Sequence, residues 1–154
     1  MKTWTESDYE ELSWHDCHIH GLAIAEREHG CGDLVLDIDF ITEWETMDDK
    51  SLRFRVAPAT LTFHDIWDLA IDLDYKTVGA GIVPFSIDGL TREPLELEHD
   101  ASLTMFRYRM DVNWPDGSIR FSGHRFTQSL KAEPIVTSSQ SLELHERVGP
   151  SGGA

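Results

Sequence analysis

Two short segments of the chain place histidines beside carboxylates. Trp14-His15-Asp16 and Phe63-His64-Asp65 each join an aromatic residue to His and Asp, and each is followed by an alternating apolar stretch. The first segment continues as Asp16-Cys17-His18-Ile19-His20. If that stretch is an extended strand, its acid and its two histidines project from one face. Two imidazoles and a carboxylate in that arrangement can bind a divalent metal such as zinc.

A structural role for the two triplets is the interpretation that we favour, and it requires no cofactor. An Asp at the start of a strand can accept a hydrogen bond from a nearby backbone amide and so close a turn. The aromatic residue before it would anchor the corner in the core. His18 and His20 would then continue the face of Leu22 and Ile24 as half-buried strand residues. The alternative is a metal-dependent or small-ligand-binding site with the candidate residues His15, Asp16, His18, His20, His64 and Asp65.

The sequence contains none of the short motifs that carry common hydrolase or nucleotide chemistry. It has no GxSxG, no HExxH and no glycine-rich phosphate loop. Cys17 lies near three histidines, but a free cysteine is more often a packed and inert thiol. These patterns weigh against an enzyme.

Acidic residues alternate with apolar residues along two predicted strands. We predict that Asp37, Asp39, Asp72 and Asp74 line one exposed sheet face, with arginines on the intervening strand. One interpretation is a solvated face with weak ion pairs. The other is an acidic surface that binds a basic protein partner and is anchored by exposed aromatic rings. The candidate anchors are Trp4, Trp44, Trp67 and Trp114.

Alternation with a period of two runs through most of the chain after residue 32. It predicts seven to nine strands in hairpin order, as an antiparallel sandwich or a barrel-like sheet. Trp114-Pro115-Asp116-Gly117 predicts a turn, Asp88-Gly89 a hairpin, and Pro58 a break or a bulge. Residues 5–12 predict a short helix, because Thr5 or Ser7 can cap it and acids follow. The predicted fold class is all-β with a short N-terminal helix.

Length, charge and cysteine content set broad limits on the protein. The 154 residues fit a single domain over residues 1–148, with a disordered tail at 149–154. The net charge is −15, from 28 acidic residues against 13 Lys and Arg. This balance disfavours nucleic acid and anionic membranes and favours a basic protein partner. The absence of a CxxC pair and of an apolar leader predicts a cytoplasmic protein.

The same residues carry a resemblance to known proteins. Trp14-His15-Asp16 after an acidic helix, the strand at 33–38 and Phe63-His64-Asp65 resemble a group of uncharacterised small bacterial proteins over residues 9–130. The pattern at the start of the strands is also similar to the immunity protein 50 family of polymorphic-toxin systems. That similarity implies a non-enzymatic protein that binds a toxin domain, and it assigns no catalytic residues.

Overall fold

Residues 1–76, 81–96 and 103–147 are described by a computed structural model of the protein. They form nine antiparallel strands in one hydrogen-bonded sheet, which confirms the predicted all-β antiparallel fold. The predicted disordered tail, 149–154, lies outside the described residues. The strands are β1 (Thr3–Thr5), β2 (His18–Glu26), β3 (Gly32–Thr46), β4 (Leu52–Leu73), β5 (Phe85–Leu95), β6 (Met105–Asn113), β7 (Gly117–Gly123), β8 (Phe126–Leu130) and β9 (Ile135–Thr137).

Six of the strands close into a ring, which gives the barrel-like form of the prediction. Along the sheet the order is β1-β8-β4-β3-β2-β5-β6-β7, and β7 also pairs with β4. The long strand β4 makes this closure possible. One of its edges pairs with β3, and the other pairs with β9, β8 and β7 in turn.

Pro58 does not break β4, so that part of the prediction was wrong. Residues 54–56 pair with β9 and residues 59–63 pair with β8, so that Pro58 lies where the strand changes partner. On that side its carbonyl accepts a hydrogen bond of 2.7 Å from the Lys131 amide. The N–H and C=O of a strand residue point to the same side. The missing proline N–H therefore faces the gap between two partners and removes no ladder bond.

The core fills the inside of the ring. Leu34, Leu36 and Ile38 of β3 are fully buried on the inner face, and aspartates alternate with them on the outer face. The alternation predicted for this strand is therefore confirmed. Phe63, Tyr108 and Phe121 form an aromatic cluster with ring centroids 4.6 to 5.3 Å apart. Each buried side chain of this size contributes about 1.5–3 kcal/mol through the hydrophobic effect.

One of the two predicted turns is present. Residues 114–117 join β6 to β7 as a hairpin, as expected. Asp88-Gly89 is not a turn, because β5 continues through it and the register with β6 slips between Ile87 and Gly89. That slip is a β-bulge, in which one strand has an extra residue.

Helical structure is short, and the segment predicted as an N-terminal helix is not α-helical. The N-terminal segment Glu6–Glu11 is a 3₁₀ helix, and the Thr5 amide before it donates to the Asp8 carboxylate at 2.8 Å. A second 3₁₀ turn spans Glu28–Gly30, and the α-helix of the described residues is α1, Leu144–Arg147. Within the described ranges, no helix is long and apolar enough to span a bilayer.

Candidate functional site

A β-bulge at His20 decides which way the histidines of β2 point. His18 lies opposite Asp39 and Ile19 opposite Ile38, but the next pair is Gly21 with Asp37. His20 is therefore an extra residue, and it projects to the outer face with His18. After the bulge Leu22 returns to the inner face, since it lies opposite the buried Leu36. The prediction that the histidines share a face with Leu22 and Ile24 was wrong.

The carboxylate of Asp39, on the outer face, is completely buried, and both of its oxygens accept hydrogen bonds. His20 Nε2 lies 2.7 Å from Asp39 Oδ2, and the Leu142 amide donates to the same oxygen at 2.8 Å. The Arg147 guanidinium donates to Asp39 Oδ1 and also to Asp37. We call His20, Asp37, Asp39, Lys131 and Arg147 the Asp39 cluster.

The Asp39 cluster holds the C-terminal segment against β2 and β3 through hydrogen bonds and ion pairs. Lys131 Nζ lies 2.8 Å from Asp37 Oδ1, and Leu142 is itself buried against the core. Burial alone would raise the pKa of Asp37, but hydrogen bonds and charge from Lys131 and Arg147 lower it. Burial, followed by the charge of Arg147, lowers the pKa of His20. The cluster thus places the carboxylates of Asp37 and Asp39 against internal cations, in surroundings that disfavour the charged form of His20.

Asp16 and His15, near the start of β2, also have internal partners. Asp16 takes a left-handed backbone with φ of 64°, and its carboxylate accepts a hydrogen bond of 2.9 Å from Gln140. His15 Nδ1 lies 2.7 Å from the Asp88 carbonyl oxygen, while most of its ring faces solvent. Cys17 is fully buried, and burial raises its pKa to about 12, which disfavours the thiolate form that a nucleophile needs. Burial also lowers the pKa of His18.

The second triplet lies inside β4 and does not precede a new strand, which corrects the prediction. Asp65 and Asp68 have φ values of 50° and 56°, and the register with β7 slips between Trp67 and Ala70. These irregularities bend β4 where its partner changes from β8 to β7. His64 Nε2 lies 2.8 Å from the Thr127 hydroxyl.

Asp33 is the buried acid that stabilises this bend. Its carboxylate accepts hydrogen bonds from the Asp65 amide at 3.0 Å and from Arg27 Nε at 2.8 Å. His64 Nδ1 lies 3.4 Å from the same carboxylate. Burial would raise the pKa of Asp33, but the hydrogen bonds from Arg27 and Asp65 outweigh it and lower the pKa.

The two triplets share an aromatic neighbour but not a polar site. Trp14 and Phe63 both pack on Phe126, with ring centroids 5.6 and 5.8 Å away. Both aromatic residues are buried, as a corner device requires. Among the described residues, no hydrogen bond or ion pair joins the His and Asp groups of one triplet to those of the other. Nor do three His, Cys, Asp or Glu side chains of that part of the chain gather where they could hold a metal ion.

The four aspartates predicted to form one acidic face are not neighbours. Asp37 and Asp39 pair with the early part of β4, opposite Thr60 and Pro58. Asp72 lies at the far end of β4, opposite Ser118, and it is exposed together with Asp74. Because Asp39 is buried and Asp37 is bound to internal cations, these two acids are not available to a partner.

An acidic cleft of about 570 Å³ lies elsewhere, on the far end of β3. Its walls come from three separated parts of the chain, residues 1–13, 40–44 and 130–134. We call it the Trp44 cleft. The residues that give it its chemistry are Lys2, Trp4, Glu11, Glu43, Trp44 and Glu133.

The Trp44 cleft combines an exposed aromatic ring with unpaired carboxylates. Trp44 is 45% exposed and packs one edge on Phe54, with centroids 4.9 Å apart. Glu11 and Glu133 are exposed, and within the described ranges neither has a cation within ion-pair distance. Glu43 lies 3.3 Å from Arg55. Lys2 Nζ sits 5.0 Å above the centroid of Trp4, so the cleft already contains one cation stacked on a tryptophan.

The sequence gives only a partial signal for this cleft. Trp44 is one of the four tryptophans that the sequence marks as anchors if exposed, and Trp67 and Trp114 are exposed as well. Nothing in the spacing of Glu11 and Glu133 relates them to Trp44, because the fold alone brings these segments together.

Comparison of the chain with protein-family models, with curated proteins and with solved structures gives no match.

Proposed function

We propose that this protein is a non-enzymatic binding module for a basic protein partner, with a role like that of immunity proteins. The Trp44 cleft would hold a lysine or arginine side chain of that partner. The observation that carries the proposal is the exposed Trp44 ring in the same cleft as Glu11 and Glu133, which have no ion-pair partner in the described part of the chain.

The chemistry of the cleft suits a cation on a flexible stem. A cation over a tryptophan face gains about 0.5–2 kcal/mol, and the larger value applies when water is excluded. The carboxylates would add charge-assisted hydrogen bonds at the rim. Lys2 above Trp4 is an internal example of the same contact. The net charge of −15 would attract a basic protein from a distance and accelerate its association.

The cysteines support the cytoplasmic location that we propose for this function. Cys17 is buried and Cys31 is exposed, and both are free thiols. Free thiols are the usual state of cysteine in a reducing compartment.

Calorimetric titration with a blocked octalysine peptide tests the proposal. Trp44→Ala should weaken binding about fivefold or more, because it removes the cation–π surface. Trp67→Ala is the matched control, since Trp67 is 43% exposed and lies outside the cleft. It should leave the affinity within about twofold. Octaglutamate should not bind.

Two results would contradict the proposed function. One is an octalysine affinity that is the same in Trp44→Ala as in the unmodified protein. The other is an equal loss in Trp67→Ala, which would show that the charge of the whole protein, not the cleft, attracts the peptide.

A further inference from the structure

Strand β2 has one edge that is only partly used. It pairs with β3 from His18 to Glu26, but it pairs with β5 at His18 and Ile19 alone. On the β5 side, the stretch 21–26 has no strand partner among the described residues. An edge of this kind presents backbone N–H and C=O groups that another strand can bind.

Within the described residues, the inner face of β2 is only partly covered along the same stretch, where Leu22 borders Tyr75 and Val83 and Ile24 is more exposed. Leu22 and Ile24 lie opposite Leu36 and Leu34, which are completely buried. Leu22 is nevertheless 36% exposed and Ile24 63% exposed. Leu22 and Ile24 therefore present apolar surface at this seam, and an added strand would cover both side chains.

The sequence of this edge lacks the features that normally block strand addition. Residues 21–26 read Gly-Leu-Ala-Ile-Ala-Glu, with a single charge at the end. Natural sheet edges are protected by lysine, proline, bulges or inward-pointing charges. The bulge of β2 lies before this stretch, at His20.

We infer that residues 21–26 of β2 accept an extended segment of a partner protein as an additional strand. The segment would carry apolar side chains at alternate positions, to cover Leu22 and Ile24. A basic residue at its end would face the exposed Glu26 and Glu28. A second copy of this chain does not fit the edge as well, because two molecules of net charge −15 repel each other. The inference rests on the proposed function only for the charge of the partner.

Hydrogen exchange with a synthetic strand tests the inference. The peptide is a blocked octamer of alternating valine and threonine with lysine at both ends. Alternate amides in residues 21–26 should exchange quickly in the free protein and slowly in the complex. An analogue that is N-methylated on alternate residues should not bind, because it cannot complete the ladder. Amides that are already protected in the free protein would overturn the inference, and so would binding of the methylated analogue.

Matched variants separate this edge from the Trp44 cleft. Ile24→Thr should lower the affinity for the strand peptide about fivefold, since it removes apolar surface that the added strand would cover. Val136→Thr changes a similarly exposed residue on β9 and should leave the affinity within about twofold.

Ile24→Thr should not alter octalysine binding, and Trp44→Ala should not alter strand-peptide binding. Loss of strand-peptide binding in Trp44→Ala, or a dimer by light scattering that disappears in Ile24→Thr, would overturn the inference.

Discussion

The Asp39 cluster and the Trp44 cleft use the same kinds of side chain for opposite purposes. In the Asp39 cluster the carboxylates of Asp37 and Asp39 are bonded to internal groups, and Asp39 has no exposed surface. In the Trp44 cleft Glu11 and Glu133 face solvent without an ion-pair partner among the described residues. The two regions differ in how far their carboxylates are buried. A buried carboxylate must be satisfied by the fold, whereas an exposed one is free to meet a partner.

The contrast changes what a row of acids in a strand indicates. The alternating aspartates of β3 suggested a binding surface, but the C-terminal segment covers them and supplies Arg147. The glutamates of the cleft stand on different elements and form no pattern along the chain. The regularly spaced acids Asp37 and Asp39 stabilise the fold, whereas the scattered acids Glu11 and Glu133 remain exposed.

The largest expected effect is the loss of the buried carboxylate. Asp39→Ala leaves Arg147 and His20 without their shared acceptor, which should lower the free energy of unfolding by about 3–5 kcal/mol. Glu133→Ala in the Trp44 cleft should change it by less than about 0.5 kcal/mol. Urea unfolding of both variants measures the difference. Equal losses of stability in Asp39→Ala and Glu133→Ala would show that the two regions do not differ in their contribution to the fold.

A second pair of variants compares two cations that share one carboxylate. Arg147 and Lys131 both contact Asp37, but the Arg147 side chain is 9% exposed and the Lys131 side chain 44%. Arg147→Met should cost about 2–4 kcal/mol, because it also leaves Asp39 short of a partner. Lys131→Met should cost less than about 1 kcal/mol. The urea midpoints of the two variants measure this difference. A larger loss of stability in Lys131→Met than in Arg147→Met would show that Arg147 is not the residue that holds the C-terminal segment in place.

The histidine of the Asp39 cluster should make stability depend on pH. The pKa of His20 is lowered in the folded protein, so the unfolded chain binds a proton first as pH falls. Stability should be complete above the ordinary histidine pKa of about 6.5 and should fall as pH decreases below it. His20→Gln should flatten this slope between about pH 7.5 and 5. His29→Gln, at a side chain that is 91% exposed, should leave the slope unchanged.

The lowered pKa values of Asp33 and Asp37 predict a second loss at more acidic pH. Their stabilising contribution is present above the ordinary aspartate pKa of about 4 and disappears as pH falls through their lower folded values. The free energy of unfolding, measured from neutral pH to about pH 3, should therefore fall in two steps. If the free energy of unfolding falls in a single step confined to the acid range, His20 does not contribute to the pH dependence of stability.

The smallest expected effect on stability belongs to the Trp44 cleft. A Glu11→Gln/Glu133→Gln double variant should keep its unfolding midpoint but bind octalysine about fivefold more weakly at low salt. The difference should shrink as salt screens the charges. A destabilised double variant with unchanged octalysine binding would reverse the roles of the two regions.

Much of the fold was predictable from the alternation of side chains. The inner row of β3 and the hairpin at 114–117 follow from it directly. The bulge at His20 was not predictable, because one inserted residue reverses the faces without a change in composition. The continuity of β4 through Pro58 and Asp65 depends on strands far away in the chain. The same holds for the Trp44 cleft, which unites residues more than a hundred positions apart.

The most direct test of the central claim uses the five tryptophans as reporters. Each indole N–H gives its own signal in a nitrogen-15 spectrum, and octalysine can be titrated while the five are followed. We expect the Trp44 and Trp4 signals to move together and saturate, while those of Trp14, Trp67 and Trp114 stay in place. Movement of Trp67 or Trp114 with Trp44 unaffected would contradict the central claim.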